Sequence, residues 1–320
     1  MLRIIAIAIV VAAGIIAGAL QWLARGFDAP GPAAADTVLV LPKGEGLSAI
    51  TRRLHEGGVI AHEWPFLFGA WRANATRTLK AGEYRFTAGM TPRAVLDLLQ
   101  SGKVVVRRIT VPEGLTSFQV ALLINGAEAM TGHAEAAPEG SLLPDTYHYV
   151  WGDERPGMVL RLRKAMTDTV AELWAKRAAN LPLKTPEEAV VLASIVERET
   201  GIAAERPLVA GVFINRLRRG MKLQSDPTVA YGISPQAPLD RALTRADLAQ
   251  PHRWNTYVID GLPPAPIANP GRASLEAVLN PASTDALYFV ADGNGGHVFA
   301  RTLDEHNRNV ARWRAQQGGR

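Results

Sequence analysis

Apolar residues fill the start of the chain, and this is the strongest hydropathy pattern in the sequence. The run Ile4–Leu23 contains no charged side chain. As an α-helix it would be about 30 Å long at a rise of about 1.5 Å per residue, which matches the hydrocarbon core of a bilayer. Trp22 suits the boundary between lipid and water, and Arg3 precedes the run. We therefore predict a transmembrane anchor over residues 1–25.

A cleaved signal peptide is the alternative for this segment. Ala33–Ala35 offers an A-x-A cleavage site just before Asp36. The apolar part of a signal peptide is usually about 7–15 residues long, and the run here is longer, so we favour a retained anchor. Residues 26–36, rich in Ala, Pro and Gly, are typical of a linker. Either alternative exports the chain beyond about residue 36.

Short strand and helix patterns follow this linker. Thr37–Pro42 and Glu83–Phe86 alternate as strands, whereas Ala49–Glu56 has the spacing of an amphipathic helix. Thr91 as N-cap and Pro92 as first helical residue begin a further helix. These patterns predict a small module of strands and helices within residues 37–140.

From about residue 141 onward, polar motifs lie between strongly apolar segments. Thr185–Glu188 is typical of a helix start, with Thr185 as N-cap, Pro186 as first helical residue and Glu188 completing a capping box. Leu287–Val290 and His297–Ala300 flank a turn-rich stretch and predict a β-hairpin. We predict a mixed α+β domain over residues 141–320.

Composition narrows the possible chemistry. The 320 residues carry a net charge of +5 and no basic block interleaved with aromatic residues, so we expect no nucleic-acid partner. The absence of cysteine excludes disulfides and a cysteine nucleophile. The histidines lack the spacing of metal ligands and no glycine-rich phosphate loop is present, so we predict neither a metal nor a cofactor.

Glu197 is the first candidate for acid–base chemistry. It follows the apolar run Val190–Val196, which is typical of a buried helix, and an acid in such surroundings tends to keep its proton near neutral pH. At about 100° per residue, Glu199 lies about 200° away on the helix and is expected to be solvated or salt-bridged. An ordinary glycosidase needs two carboxylates beside the bond that it cleaves, and a straight helix here would offer only one.

A structural role for Glu197 stays open from the spacing alone. In that alternative the glutamate is buried in an ion pair with an arginine. The candidate partners are Arg206, Arg216 and Arg218.

Two further segments carry polar residues that suit a sugar site. Gln224 and Ser225 offer amide and hydroxyl groups, whereas Asp226 precedes Pro227 and is expected first of all to cap a helix. Asn255–Tyr257 is a polar trio that fits either a loop facing a ligand or a loop tied to its own backbone.

Nine short motifs then occur in an order that resembles one protein family. They are Leu143–Tyr147, Ala193–Gly201, Val212–Leu217, Leu223–Val229, Asn255–Tyr257, Gly261–Pro264, Tyr288–Ala291, Gly295–Ala300 and Glu305–Asn307. Together they resemble the MltG-type (YceG-like) endolytic murein transglycosylases. The resemblance is dense from about residue 142 to residue 307, more than half of the chain.

The resemblance implies a function that needs a single carboxyl group. Enzymes of this kind cleave the bond between N-acetylmuramic acid and N-acetylglucosamine without water: one glutamate protonates the leaving oxygen and then activates the muramoyl C6 hydroxyl, which closes a 1,6-anhydro ring. By resemblance, Glu197 is the catalytic residue, and Gln224, Ser225, Asp226, Asn255 and Tyr257 are substrate-binding residues.

The resemblance also implies an organisation and a location. Residues 37–140 would form a LysM-like peptidoglycan-binding region and residues 141–320 the catalytic domain, giving an α+β protein held by one N-terminal helix in the inner membrane with its bulk in the periplasm. The expected partners are peptidoglycan glycan strands, the membrane and peptidoglycan synthases. The alternatives are a non-catalytic peptidoglycan-binding scaffold and a muramidase that uses water.

Overall fold

The computed structural model describes residues 1–317 and has a mixed α+β fold. The helices are α1 (Leu2–Asp28), α2 (Leu47–Glu56), α3 (Glu63–Arg72), α4 (Pro92–Ser101), α5 (Ser117–Asn125), α6 (Arg155–Ala175), α7 (Pro186–Glu199), α8 (Arg206–Arg218), α9 (Asp226–Ile233), α10 (Arg245–Ala249), α11 (Arg272–Leu279) and α12 (Leu303–Gln317). The strands are β1 (Thr37–Leu41), β2 (Gly82–Phe86), β3 (Val106–Thr110), β4 (Thr146–Val150), β5 (Tyr288–Ala291) and β6 (His297–Ala300).

The strands pair two by two. Strands β1 and β2 are antiparallel, with Thr37 opposite Phe86, and β5 and β6 form the predicted antiparallel hairpin. Strands β3 and β4 form the remaining two-stranded sheet of the described chain. The mixed α+β class is therefore confirmed.

The chain divides into two compact units within β3 and β4. One unit contains residues 1–107 and 148–153, and the other contains residues 108–147 and 154–320. This division differs from the boundary predicted at residue 140, because residues 108–140, including α5, pack with the larger unit. The LysM-like character of residues 37–140 stays a prediction.

Helix α1 is long and apolar enough to cross a bilayer. Its most apolar window has a mean hydropathy of 2.5 and is not buried in the protein. An exposed apolar helix of 27 residues fits a transmembrane anchor. The helix runs to Asp28, three residues past the predicted anchor.

The start of the predicted linker is instead part of the smaller unit's core. The Phe27 side chain is only 7% exposed and packs with Phe66 and Leu96, while the Arg93 guanidinium lies 4.9 Å from the centre of its ring. Arg93 also binds Asp28 at 2.6 Å. Residues 26–28 are therefore helical and packed, because an aromatic side chain there finds an apolar site.

Helix α7 lies at the centre of the larger unit's core. Its residues 189–196 are all buried, and α8 and α11 pack against it. The Thr185 hydroxyl accepts from the Glu188 N–H as predicted, but the Glu188 carboxylate accepts from the Lys184 N–H, so the capping box is not closed. The helix ends at Glu199, because Thr200 is extended with φ −139°. The last turn of α7 therefore carries both Glu197 and Glu199.

Candidate active site

The two glutamates of this last turn face different surroundings. Glu197 contacts Arg206 and the backbone of Gly271, whereas Glu199 contacts Ser225. This agrees with the angle of about 200° expected from helical geometry. The two carboxyl groups therefore do not share one cleft.

Glu197 is bound through both of its oxygens. Its Oε1 accepts from Arg206 Nη2 at 3.0 Å and its Oε2 accepts from the Gly271 N–H at 2.9 Å. The side chain is 4% exposed, and Arg206 also binds Glu113 at 2.8 Å. Burial raises the pKa of Glu197 and the nearby Glu113 charge adds to the rise, while the Gly271 N–H and Arg206 oppose it. The structure thus forms the buried ion pair that the spacing left open.

Glu199 is neither freely solvated nor salt-bridged to an arginine of α8, contrary to the sequence expectation. It is partly buried, and its Oε1 accepts a 2.5 Å hydrogen bond from the Ser225 hydroxyl. Burial raises the pKa of Glu199 to about 7, and the nearby Asp226 charge adds to the rise, whereas the Ser225 hydrogen bond opposes it. The backbone carbonyl groups at the C-terminus of α7 give that helix end a partial negative charge, which also disfavours an ionised Glu199. Glu199 therefore exchanges its proton near neutral pH.

Four of the five predicted binding residues lie together on the Glu199 side. The Gln224 N–H donates to Thr256 O at 3.1 Å, and the Ser225 N–H donates to Thr256 Oγ1 at 2.9 Å. The Tyr257 hydroxyl donates to Asp226 Oδ1 at 2.6 Å. These bonds join the segment before α9 to the Asn255–Tyr257 loop.

Two features of residues 224–226 were not predicted from the sequence. Ser225, not Asp226, occupies the N-cap position of α9, so the exposed Asp226 carboxylate is free to accept from Tyr257. Gln224 is exposed and has a φ of 50°, a left-handed conformation that costs a non-glycine residue free energy. Such strain is common where a side chain is held for function.

Asn255 has the loop-tying role rather than the ligand-facing one. It is 1% exposed, and its Nδ2 donates to the backbone oxygens of Asp247, Leu248 and Gln250 at 3.3, 3.0 and 2.9 Å. Its Oδ1 accepts from the Tyr257 N–H at 2.9 Å. Both polar atoms of its side chain are therefore bound within the protein, and its role as a substrate-binding residue stays a prediction.

Arg216 and His297 complete the surroundings of Glu199. Arg216 is 6% exposed and donates to the backbone oxygens of Leu287 and Leu223, each at 2.7 Å. His297 binds Glu205 through Nδ1 at 2.7 Å. The His297 and Arg216 side chains both oppose the rise in the pKa of Glu199. Sequence spacing offered Arg216 only as a partner for Glu197, and it did not point to His297.

The side chains around Glu199 are suited to proton transfer and hydrogen bonding. Within residues 1–317, no group of three or more His, Asp or Glu side chains converges in a way that could hold a metal ion. The groups that converge are a carboxyl group that titrates near neutrality, a hydroxyl, a tyrosine–carboxylate pair and an amide. Burial and the Asp226 charge both raise the pKa of Tyr257, so its hydroxyl stays protonated as a donor.

A family model matches residues 39–312, and its description is the YceG-like family. The chain belongs to the YceG-like family. The match covers nearly all of the described chain after α1, so it includes the whole Glu199 site.

Named members of the YceG-like family resemble the chain over most of its length. An endolytic murein transglycosylase from Bacillus subtilis is 31% identical over 300 residues, which are 84% of this chain and 82% of the relative. One from Streptococcus pneumoniae is 29% identical over 321 residues, covering 85% of this chain. The match spans only 57% of that longer relative.

A solved structure of a YceG-like protein has the same fold. The crystal structure of the protein lmo1499 from Listeria monocytogenes is 28% identical in sequence and gives a TM-score of 0.52. The superposition covers 85% of this chain and 98% of the Listeria chain.

Proposed function

We propose that the protein is an endolytic murein transglycosylase that cleaves the bond between N-acetylmuramic acid and N-acetylglucosamine within glycan strands and leaves 1,6-anhydro ends. The related enzymes carry this activity in their names. The observation that carries the proposal is Glu199: its carboxyl group has a pKa raised to about 7 and lies beside the polar Gln224–Asp226 segment.

A single carboxyl group of this pKa can perform both halves of the reaction. Protonated Glu199 donates its proton to the glycosidic oxygen as the bond to C1 of the muramoyl residue breaks. The resulting carboxylate then accepts the proton of the muramoyl C6 hydroxyl, whose oxygen bonds to C1. The proton returns to Glu199 and no water is consumed. A pKa near the working pH is what a residue that acts as both acid and base requires.

The contacts favour Glu199 over Glu197 for this role. Both oxygens of Glu197 are occupied by donors, one of them the Arg206 guanidinium. One oxygen of Glu199 accepts from a neutral hydroxyl, which can rotate when a substrate enters. The sequence-based role of Glu197 stays a prediction, and the proposal assigns Glu197 to the support of the helix end.

Substrate binding is assigned to the side chains that surround Glu199. Exposed Gln224 and the Asp226–Tyr257 pair supply amide, carboxylate and phenol groups, which bind sugar hydroxyl and N-acetyl groups well. Ser225 orients Glu199 through its hydroxyl. Asn255 acts indirectly by holding the loop of Tyr257.

The proposed location is the inner membrane, with the bulk of the chain in the periplasm. Helix α1 supports an anchor, and a tether confines the enzyme to the few nanometres where new strands emerge. Nascent strands would then be the substrate and peptidoglycan synthases the natural partners. The proposal includes a peptidoglycan-binding role for the LysM-like residues 37–140.

The products of digestion test this function. The full chain in detergent should release fragments with 1,6-anhydromuramic ends from purified peptidoglycan, as measured by mass spectrometry. Reducing ends would show a muramidase that uses water. Binding without cleavage would support a scaffold, and either result would overturn the proposal.

A further inference from the structure

A cavity lies beside the end of α7, with Arg198 in its wall. It has a volume of about 260 Å³ and lies between the N-terminus of α5 and the length of α9. Its lining includes Thr116, Gln119, Arg198, Tyr231, Leu243 and Ile267. All of these residues belong to the larger unit.

The lining of the cavity includes residues adjacent in sequence to Glu199 and Asp226. Arg198 stands between Glu197 and Glu199 in the last turn of α7, and Pro227 of the lining follows Asp226 directly. The α-carbons of adjacent residues lie about 3.8 Å apart, so the backbone of the cavity wall lies next to that of Glu199 and of Asp226.

The wall of the cavity carries one cation that no carboxylate neutralises. Exposed Arg198 donates from Nη1 to the backbone oxygen of Gly114 at 3.2 Å and takes part in none of the ion pairs formed within residues 1–317. Arg241, also in the lining, binds Asp247 through two hydrogen bonds of 2.6 and 3.0 Å. The Tyr231 hydroxyl is held by Glu139 at 3.2 Å. The charge available to a ligand is that of Arg198.

We propose that this cavity binds the peptide substituent of the muramoyl residue, with Arg198 contacting a carboxylate of that peptide. The inference rests on the proposed function and deepens it. In murein each muramic acid carries its peptide on a lactyl ether beside the bond to be cleaved, and the peptide bears carboxylates. A guanidinium binds a carboxylate through paired hydrogen bonds, and apolar lining such as Leu243 and Ile267 suits alanine side chains.

Two substrates that differ only in the peptide test the proposal. The wild-type chain should cleave strands with peptides roughly tenfold faster, in kcat/KM, than strands from which an amidase has removed the peptides. Arg198→Gln should bring this ratio close to one, and Arg198→Lys should keep only part of it, because the charge remains but the paired hydrogen bonds are lost. Arg163→Gln, at an exposed arginine of α6, is the matched control and should leave the ratio unchanged. The inference is overturned if Arg198→Gln has the same ratio of kcat/KM on the two substrates as the wild type. This includes the case in which the variant loses activity equally on both substrates.

A binding measurement separates failure of this inference from failure of the proposed function. A soluble muramyl tripeptide should bind the full chain in detergent, and Arg198→Gln should weaken that binding roughly tenfold by titration calorimetry. If strands yield anhydro ends at equal rates with and without peptides, the inference fails while the transglycosylase function stands. If no strand is cleaved, the function fails, and equal affinity of wild type and Arg198→Gln for the tripeptide then overturns the inference as well.

Discussion

The Ser225 hydroxyl lies 2.5 Å from Oε1 of Glu199, and this contact joins the end of α7 to the start of α9. It places a buried N-cap residue against a carboxyl group whose pKa is raised by burial to about 7. The contact also marks which of two neighbouring glutamates faces the polar residues that sequence motifs had singled out.

Replacing each glutamate separately should distinguish their roles. Glu199→Gln should lower the rate of strand cleavage at least about 100-fold, because it removes the proton that the leaving oxygen needs. Its midpoint of thermal unfolding should stay near or above that of the wild type. Product release from purified peptidoglycan, followed by chromatography, measures the rate.

Glu197→Gln is the matched variant in the same helical turn. It should keep cleavage within about tenfold of wild type and lose about 1–3 kcal/mol of the free energy of unfolding, because a buried donor on Arg206 loses its ionised partner. Inactive Glu197→Gln together with active Glu199→Gln would restore Glu197 as the acid and contradict the present assignment.

Stability should report the titration of Glu199. Its pKa of about 7 lies above its ordinary value of 4.5, so the native state binds this proton more tightly than the unfolded chain does. The resulting stabilisation is complete below the unfolded pKa and is lost as the pH rises through about 7. Wild type should therefore lose stability relative to Glu199→Gln between about pH 5 and about pH 8. Chemical denaturation across this range measures the difference, and a constant difference would count against the raised pKa.

Removing the Ser225 hydroxyl should change the pH profile of cleavage. A hydrogen bond to the carboxylate favours its ionised form, so Ser225→Ala should raise the pKa of Glu199. The alkaline limb of kcat/KM, where the acid loses its proton, should then move to higher pH. Ser141→Ala removes a hydroxyl that donates to Pro138 O, away from Glu199 in the hydrogen bonds of residues 1–317, and should leave the limb in place. An alkaline limb that moves to lower pH in Ser225→Ala would contradict a stabilising hydrogen bond from Ser225 to the Glu199 carboxylate.

Substitutions of Asn255 and Tyr257 should have different effects, the first on stability and the second on cleavage. Asn255→Ala leaves several buried backbone groups without partners and should cost about 3 kcal/mol of the free energy of unfolding. Tyr257→Phe removes only the bond to exposed Asp226 and should change stability by less than about 1 kcal/mol while lowering cleavage. Urea unfolding and steady-state kinetics on both variants make the comparison; a destabilised Tyr257→Phe with normal kinetics would reverse the two roles.

The end of α1 should contribute to folding as well as to anchoring. A chain that begins at Gly26 keeps Phe27 in its apolar site, whereas a chain that begins at Thr37 loses it together with the Asp28–Arg93 pair. The shorter chain should be about 3 kcal/mol less stable, in line with the loss of a buried aromatic side chain. Phe27→Ala in the chain from Gly26 should reproduce most of that loss. Equal midpoints of unfolding for all three chains would show that residues 26–36 are linker after all.

Local patterns were sufficient wherever a short segment decided its own conformation. Thr91 and Pro92 begin α4 as predicted, and Thr91 accepts from the Ala94 N–H at 3.2 Å. The hairpin β5–β6 was recoverable from two alternating segments and the turn between them. The angle between Glu197 and Glu199 also followed from helical geometry alone.

The sequence by itself determined the apolar helix, the mixed class, the helix that carries Glu197 and Glu199 and the motifs that mark the family. It could not determine which side of α7 faces the site, since that depends on where Arg206, Gly271 and Ser225 lie after the chain has folded. A pKa depends on burial and on charges brought close from distant segments, so Glu199 and Glu197 were distinguishable only in the tertiary structure. The hydrogen bonds of Asn255 were hidden for the same reason, because its three carbonyl partners become neighbours only when the loop closes around it.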